Sequence, residues 1–293
     1  MARKVRKAVI PAAGLGSRFL PATKAVPKEM LPVVDKPVLQ YIVEEAVASG
    51  IEQVCIVTSR SKQAIEDHFD RFFELEYRLK EAGKSVLLEA VVHAATMVEV
   101  VFVRQQEPLG NGHAVLCARN VVGNEPFAML WGDDFVDAEE PCLAQLLRAY
   151  DRYDASVLAA IRAPREDWNK YGMIDYDQVD ERTYRVKSIV EKPPIEQSPS
   201  DLAQVKGSVL TPEIFEMLAK TPRGKGGEIW LVDAIHALID IQPVYAYVFE
   251  GRRYDTGNAV EMIKANIELA LKRPDMADPL QGYLRGLVGS FTG

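Results

Sequence analysis

Short apolar runs at Lys7–Ala12, Gln53–Val57, Glu99–Arg104, Phe127–Leu130 and Ser156–Ile161 read as strands. Between them Val38–Ser49, Lys62–Phe73, a region around Glu74–His93, Ala114–Asn120 and Cys142–Tyr153 carry the spacing of helices. That alternation is the strongest constraint on the fold. Parallel strands need a long crossover between them, and a helix is the usual one. The pattern therefore predicts an α/β, Rossmann-like fold: a mixed, mainly parallel sheet with helices on both faces. Sheets of this kind take their ligands beyond the carboxyl ends of the strands.

From about Trp168 the texture changes. Met173–Asp177 and Val186–Glu191 read as a polar-edged hairpin, and Ile195–Gln204 as a Pro/Ser-rich loop. Strand Val205–Leu210, helices Pro212–Lys220 and Ile229–Ile241, strand Val244–Phe249 and helix Asn258–Lys272 follow, before a frayed tail with Gly and Pro. The apolar tail residues Leu280, Tyr283, Leu284, Leu287 and Val288 fit either a neighbouring subunit or a surface helix. No linker, internal repeat or hexapeptide array is visible. The expectation is one domain over 1–293, with a half near 1–165, an added lobe near 166–272 and a tail at 273–293.

The first strand empties into Pro11-Ala12-Ala13-Gly14-Leu15-Gly16-Ser17-Arg18, and Pro27-Lys28-Glu29-Met30-Leu31-Pro32 follows. Gly14 and Gly16 lack a Cβ, so the backbone bends sharply there and brings its N–H groups close to an anion. Arg18 and Lys28 add positive charge from two points of one loop. A nucleoside triphosphate site is expected. The loop is no P-loop, because no GxxxxGK[ST] run occurs. A dinucleotide fingerprint fails as well: Phe19 stands at the third glycine position and Pro21 breaks the helix that should open there. That disfavours an NAD-dependent dehydrogenase.

Charge separates the remaining classes. Through Lys36, eight basic residues face only Glu29 and Asp35, although the whole chain carries a net charge of −7. An acidic body with one basic segment fits a small anionic ligand and excludes a general nucleic-acid binder. Apolar residues at 48% and charged residues at 26% are those of an ordinary globular protein. The longest apolar region, Val86 to Val103, is broken by Glu89, His93 and Glu99, so no membrane span is expected. Ala8-Val9-Ile10 is too short for a signal-peptide core. Cys55, Cys117 and Cys142 lack metal-type spacing and fit buried thiols in a reducing cytoplasm.

Residues 8–37 resemble the signature of the sugar-nucleotide pyrophosphorylases, and the likeness continues with gaps to about Leu271. The long spelling from Gly14 to Pro32 is similar to the bacterial members that join UTP to glucose 1-phosphate. The resemblance implies a nucleotide-diphospho-sugar transferase, GT-A-like fold. It implies UDP-glucose and pyrophosphate as products, Mg²⁺ as the metal, and a homodimer or homotetramer. Such a reaction is an in-line displacement at the α-phosphorus. Its attacking oxygen is already ionised, so the protein needs positioning and charge neutralisation rather than a covalent nucleophile.

On those residues the site takes shape. Ala12, Ala13, Gly14 and Gly16 would line the nucleotide, with Lys28 facing the triphosphate and Arg18 its β and γ groups. Asp133 follows the run Phe127–Trp131, and Asp255 follows the strand ending at Phe249, so both stand at strand ends. Each alone reads as a cap or turn residue. The resemblance matches both to metal ligands, with Asp133 also at the nucleotide and Asp134 a secondary candidate. A Gln carboxamide gives a pyrimidine both a donor and an acceptor, and the resemblance puts base reading at Gln105 and Gly110. It matches Glu191 to sugar hydroxyls, Lys192 to the sugar phosphate, and Gly172 and Gly207 to the sugar side. Successive strand residues face opposite ways, so Glu191 and Lys192 share a site only if their strand ends there, which Pro193-Pro194 favours. His113 reads as a helix-opening residue with a structural bond. Two departures stand out: Lys206-Gly207-Ser208-Val209-Leu210 stands where the family more often reads Gly-Arg-Tyr-Val-Leu, so its Arg and Tyr are missing, and Trp230 replaces Gln after Gly226-Gly227-Glu228-Ile229. The alternatives are a pyrophosphorylase using dTTP or galactose 1-phosphate, and a non-catalytic regulatory subunit that binds nucleotide sugars.

Overall fold

Lys7–Pro11 forms β1, with Ala8, Val9 and Ile10 fully buried. Ala8 and Ile10 enter the core on one face of the sheet and Val9 the core on the other. A strand covered on both faces reads as an unbroken apolar run, which is why it was legible. In this computed structural model, which describes residues 2–291, twelve further strands follow. They are β2 Pro32–Val33, β3 Lys36–Pro37, β4 Gln53–Thr58, β5 Glu99–Arg104, β6 Phe127–Leu130 and β7 Asp134–Asp137. Then come β8 Ser156–Arg162, β9 Gly172–Gln178, β10 Thr183–Glu191, β11 Leu202–Leu210, β12 Val244–Val248 and β13 Arg252–Asp255.

Nine strands form one sheet in the order β5-β4-β1-β6-β11-β8-β12-β10-β9. The β5-β4-β1-β6 half is parallel throughout, as the strand–helix alternation predicts. β8 and β12 are also parallel. The sheet is mixed because β11 runs antiparallel between β6 and β8, and because the β9–β10 hairpin adds antiparallel pairs. Helix Val38–Ala48 buries Leu39, Ile42, Val43 and Ala46 on one face. Helices Ile214–Lys220 and Leu231–Ile239 bury Phe215, Leu218, Leu231 and Ile235 on the other.

Two small ribbons sit outside this sheet. β2 pairs β3, and β7 pairs β13 with Asp134 opposite Asp255. The β7–β13 ribbon carries residues from distant parts of the chain to one sheet edge.

Several boundaries differ from the sequence reading. The stretch around 62–93 resolves into three helices, Gln63–Phe69, Phe73–Glu81 and Ser85–Thr96. The predicted helix Ala114–Asn120 opens earlier, at Asn111, and splits at Ala118. β11 starts at Leu202, inside the expected Pro/Ser loop. The tail is a helix, Ala277–Phe291, rather than frayed chain. Leu280 and Leu284, one turn apart, are half-buried, and a Cβ added at any of its three glycines would meet nothing within 4 Å. Among the described residues no helix is long and apolar enough to cross a membrane.

Candidate active site

The glycine loop leaves β1 and turns at Gly16, whose φ of 66° is a left-handed conformation that suits glycine. A Cβ there would meet Lys28 Cβ and Thr23 Cβ at 3.3 Å, and Thr23 Oγ1 donates to Gly16 O at 2.7 Å. Gly14 differs: a Cβ would meet nothing within 4 Å. Its missing side chain leaves room rather than serving the fold. Ala12 is buried and its N–H already donates to Val57 O at 2.8 Å, so that group is not offered to a phosphate. Lys28 opens a short turn, Lys28–Met30, and its Nζ lies 2.5 Å from Asp133 Oδ2. Burial pulls the Lys28 ammonium down, but the Asp133 and Glu29 carboxylates outweigh it and hold its pKa above the usual lysine value.

Asp133 and Asp255 lie at one end of the β7–β13 ribbon, Asp133 just before β7 and Asp255 at the end of β13. Thr256 donates to Asp133 O through both its N–H, at 2.9 Å, and its Oγ1, at 2.7 Å, which locks the two loops together. Gly257 N donates to Asp255 Oδ1 at 3.2 Å. A Cβ on Gly257 would lie 2.7 Å from Asp133 Oδ2, 3.0 Å from Arg18 Nη1 and 3.1 Å from Asp255 Oδ1. Two carboxylates and the Arg18 guanidinium therefore converge on the gap left by one absent methyl group. Burial pushes the Asp255 carboxyl up; Arg253 opposes this, while Asp134 and Asp133 add to it.

These donors fit a hard divalent cation. Mg²⁺ is commonly held by one or two carboxylates, with phosphate oxygens and water filling the other positions. Among the described residues no cluster of three or more His, Cys, Asp or Glu could cage an ion unaided.

Asp134 is placed differently from its neighbour. It is buried, with its oxygens bound to Arg253 Nη2 at 2.6 Å and Nε at 2.9 Å, and it also accepts Lys206 N at 3.0 Å. Lys206, fully buried with a φ of 59°, reaches Asp134 O at 2.9 Å and Glu45 Oε2 at 2.9 Å. Arg253 also touches Asp255 Oδ2 and Tyr171 Oη at 3.4 and 3.3 Å. A second buried pair lies under the loop, where Lys62 Nζ meets Glu29 Oε2 at 2.7 Å. Sequence reasoning missed Glu29, Glu45, Lys62, Lys206 and Arg253. The one available signal was a glutamate inside a loop otherwise committed to binding an anion.

Among the residues expected to read the base, Gln105 Nε2 donates to Gly110 O at 2.9 Å and meets His113 Nδ1 at 3.0 Å. The structural bond expected of His113 is therefore present. Gly110 has a φ of 97°, and a Cβ would run into Ile229 O at 2.7 Å and Glu228 Cβ at 2.8 Å. Among the residues expected at the sugar, β10 stops at Glu191, and Lys192 leaves it with a φ of 44°. Alternation is broken there, so Lys192 Nζ lies 3.0 Å from Glu191 Oε1. A Cβ on Gly172 would be 3.5 Å from Glu191 Oε2.

The pattern that defines the nucleotidyl transferases matches residues 7–271. The chain belongs to the nucleotidyl transferase family. A UTP–glucose-1-phosphate uridylyltransferase of Bacillus subtilis is 52% identical over 286 residues, covering 98% of both chains. One of Staphylococcus epidermidis is 48% identical over 285 residues, covering 97% of this chain and 99% of its own. A UTP-bound UGPase from Acinetobacter baumannii superposes with a TM-score of 0.89 at 40% identity, over 96% of this chain and 99% of that one. A UDP-glucose pyrophosphorylase complexed with UDP-glucose gives 0.84 at 39% identity, over 92% and 100%.

Within this nucleotidyl transferase, Arg18, Lys28, Asp133 and Asp255 form one group. Gln105 and Gly110 form a second, and Gly172, Glu191 and Lys192 a third. Gly207 stands apart. It pairs with Leu130 inside β11, and a Cβ would lie 2.2 Å from Met129 O, so strand packing is a sufficient reason for glycine there. Ser208 is buried and accepts Gln204 Nε2 at 3.2 Å.

Proposed function

We propose that the chain forms UDP-glucose and pyrophosphate from UTP and glucose 1-phosphate. The observation that carries the choice of substrates is the 52% identity to a uridylyltransferase across 98% of both chains. The geometry supplies the means. The ionised oxygen of the sugar phosphate attacks the α-phosphorus, and pyrophosphate leaves from the opposite side. Arg18 and Lys28 neutralise the triphosphate as charge moves onto the leaving group. Lys192 steers the sugar phosphate, while Glu191 accepts sugar hydroxyls beside the space left by Gly172. Gln105 and the Gly110 backbone read the base edge. Ala13, Gly14 and Gly16 line the phosphates, with Ala12 behind them, and Gly207 supports the sugar side through its strand. Asp133 and Asp255 would hold Mg²⁺, which when bound supplies positive charge to phosphate oxygens.

We read residues 1–165 as the nucleotide half and 166–272 as the sugar half of one domain, since a single sheet runs through both. Three unpaired thiols, each with its pKa pushed up by burial, support a cytoplasmic location. Exposed Phe73, Tyr77, Val86, Tyr283 and Val288 support assembly into a homodimer or homotetramer, which light scattering would measure.

Pyrophosphate release with UTP and glucose 1-phosphate tests the reading, repeated with Lys28→Ala and Asp133→Ala. Full activity in both variants would defeat the site. Rates across four nucleotides and against galactose 1-phosphate test the substrates, and a preference for dTTP would defeat the uridylyl assignment.

A further inference from the structure

Trp230 lies between the base loop and the sugar end. Its neighbours are pinned to the base loop: Ile229 N donates to Leu109 O at 2.7 Å, Gly112 N to Ile229 O at 2.9 Å, and Leu231 N to Asn111 Oδ1 at 2.9 Å. On the other side its ring faces Lys192, with Nζ 5.5 Å from the ring centroid. Two residues on, Val232 Cγ2 lies 3.4 Å from where a Gly172 Cβ would be. The indole Nε1 is buried and has no hydrogen-bond partner among the described residues. A buried donor left unmade is a penalty, so this position gains nothing from the polar edge of the indole. What it gains comes from the face.

Lys192 needs such a face. Its ammonium sits on a long, half-exposed stem and its nearest partner is the Glu191 carboxylate at 3.0 Å. A carboxylate that holds the ammonium is less available to sugar hydroxyls. An aromatic face attracts a cation without consuming a hydrogen-bond acceptor, and Trp does so best. We propose that Trp230 is a positioning residue of the sugar-phosphate subsite: its ring, together with Glu191, holds the Lys192 ammonium toward the sugar 1-phosphate. This rests on the assignment of Lys192 to the sugar phosphate made above. Because the residues flanking Trp230 are bonded to 109–112, the same contact ties the sugar end to the base loop.

The test is steady-state pyrophosphate release, varying glucose 1-phosphate at saturating UTP and then the reverse. Wild type is compared with Trp230→Phe, Trp230→Gln and Trp230→Leu. Loss of the ring in the Gln and Leu variants raises the KM for glucose 1-phosphate about 2- to 5-fold, the range of one cation–π contact at a half-exposed ammonium. The KM for UTP is unchanged, and Trp230→Phe stays closer to wild type than either ringless variant throughout. In a Lys192→Gln background, Trp230→Gln adds little, because the two residues act through one contact. An unmoved glucose 1-phosphate KM in both ringless variants, a Phe variant as poor as Gln, or additive losses in the double variant overturns the inference alone. Wild-type protein that turns over no UTP with glucose 1-phosphate overturns the proposed function together with it.

Discussion

Gly257→Ala puts one methyl group into the gap on which the proposed metal site depends. No left-handed φ protects this glycine, so the backbone accepts alanine without strain. The new Cβ lies 2.7 Å from Asp133 Oδ2 and 3.1 Å from Asp255 Oδ1, whereas ordinary contact begins at 3.4 Å. Both carboxylates must retreat, Asp133 further than Asp255, and Arg18 Nη1, at 3.0 Å, must give way too. These atoms are ends of flexible side chains, so the folding free energy should change by less than about 1 kcal/mol. Function should not be spared. A displacement near 1 Å at a reacting centre is worth about 100-fold in rate, and the retreat here is a large part of that. We expect kcat/KM to fall ~10- to 100-fold and the Mg²⁺ concentration for half-maximal rate to rise. Pyrophosphate release across a Mg²⁺ titration measures both, and urea unfolding checks stability. A folded variant with wild-type rate and wild-type metal requirement would refute the convergence of Asp133 and Asp255 on one ion.

The two loop glycines should respond in opposite ways. Gly16→Ala forces a left-handed alanine and should cost about 1–2 kcal/mol in urea unfolding, so an unchanged midpoint would contradict the turn described here. Gly14→Ala should keep its stability within about 0.5 kcal/mol yet raise the KM for UTP several-fold; a wild-type KM would mean that the open space is not the phosphate site. Lys62→Met strands the buried Glu29 carboxylate and should cost about 3–5 kcal/mol near neutral pH. Burial already pushes the Glu29 carboxyl up, and in the variant Lys62 no longer pulls it down. Its folded-state pKa then exceeds the unfolded one, so the penalty is present above that pKa and disappears as protonation proceeds. The gap to wild type should narrow as the pH is lowered toward 5, and a gap that widens would defeat this account. Gly207→Ala drives a Cβ to 2.2 Å from Met129 O, a backbone atom of the next strand. Loss of more than about 3 kcal/mol is expected, and a wild-type unfolding midpoint would overturn it.

The strands were legible for a physical reason: β1, β4 and β6 are covered on both faces and so are written as continuous apolar runs. The loop was legible because its glycines and cations are local. The β7–β13 ribbon was not. Asp134–Asp137 and Arg252–Asp255 are short and polar, and their pairing spans more than a hundred residues. Without that pairing, Asp133 and Asp255 are two turn aspartates, and only family likeness joins them. Lys62, Lys206 and Arg253 were invisible for another reason. Charged residues are exposed by default, and their burial depends on partners that no local pattern announces. The C-terminal helix was legible only as one of two alternatives, because its apolar residues favour a surface helix while its glycines and Pro279 look like chain breaks.

The buried charges explain why the ribbon holds its shape. Glu45, Lys206, Asp134, Arg253 and Asp255 are linked in turn from helix Val38–Ala48 to the Asp255 carboxylate, Lys206 and Asp134 through each other's backbone. A buried ion pair is weak evidence for stability, since apolar side chains of equal volume often do as well. Its use here is directional. Arg253 grips both oxygens of Asp134 through parallel N–H donors, a geometry that a lysine could not reproduce. That grip fixes the guanidinium, whose remaining reach goes to Asp255 on one side and Tyr171, at the head of β9, on the other. Asp134 is thereby occupied, and Asp133, one residue earlier in the turn before the strand, meets Lys28. Of two adjacent aspartates, one is consumed by the scaffold, which leaves the other for the role proposed for it at the substrate.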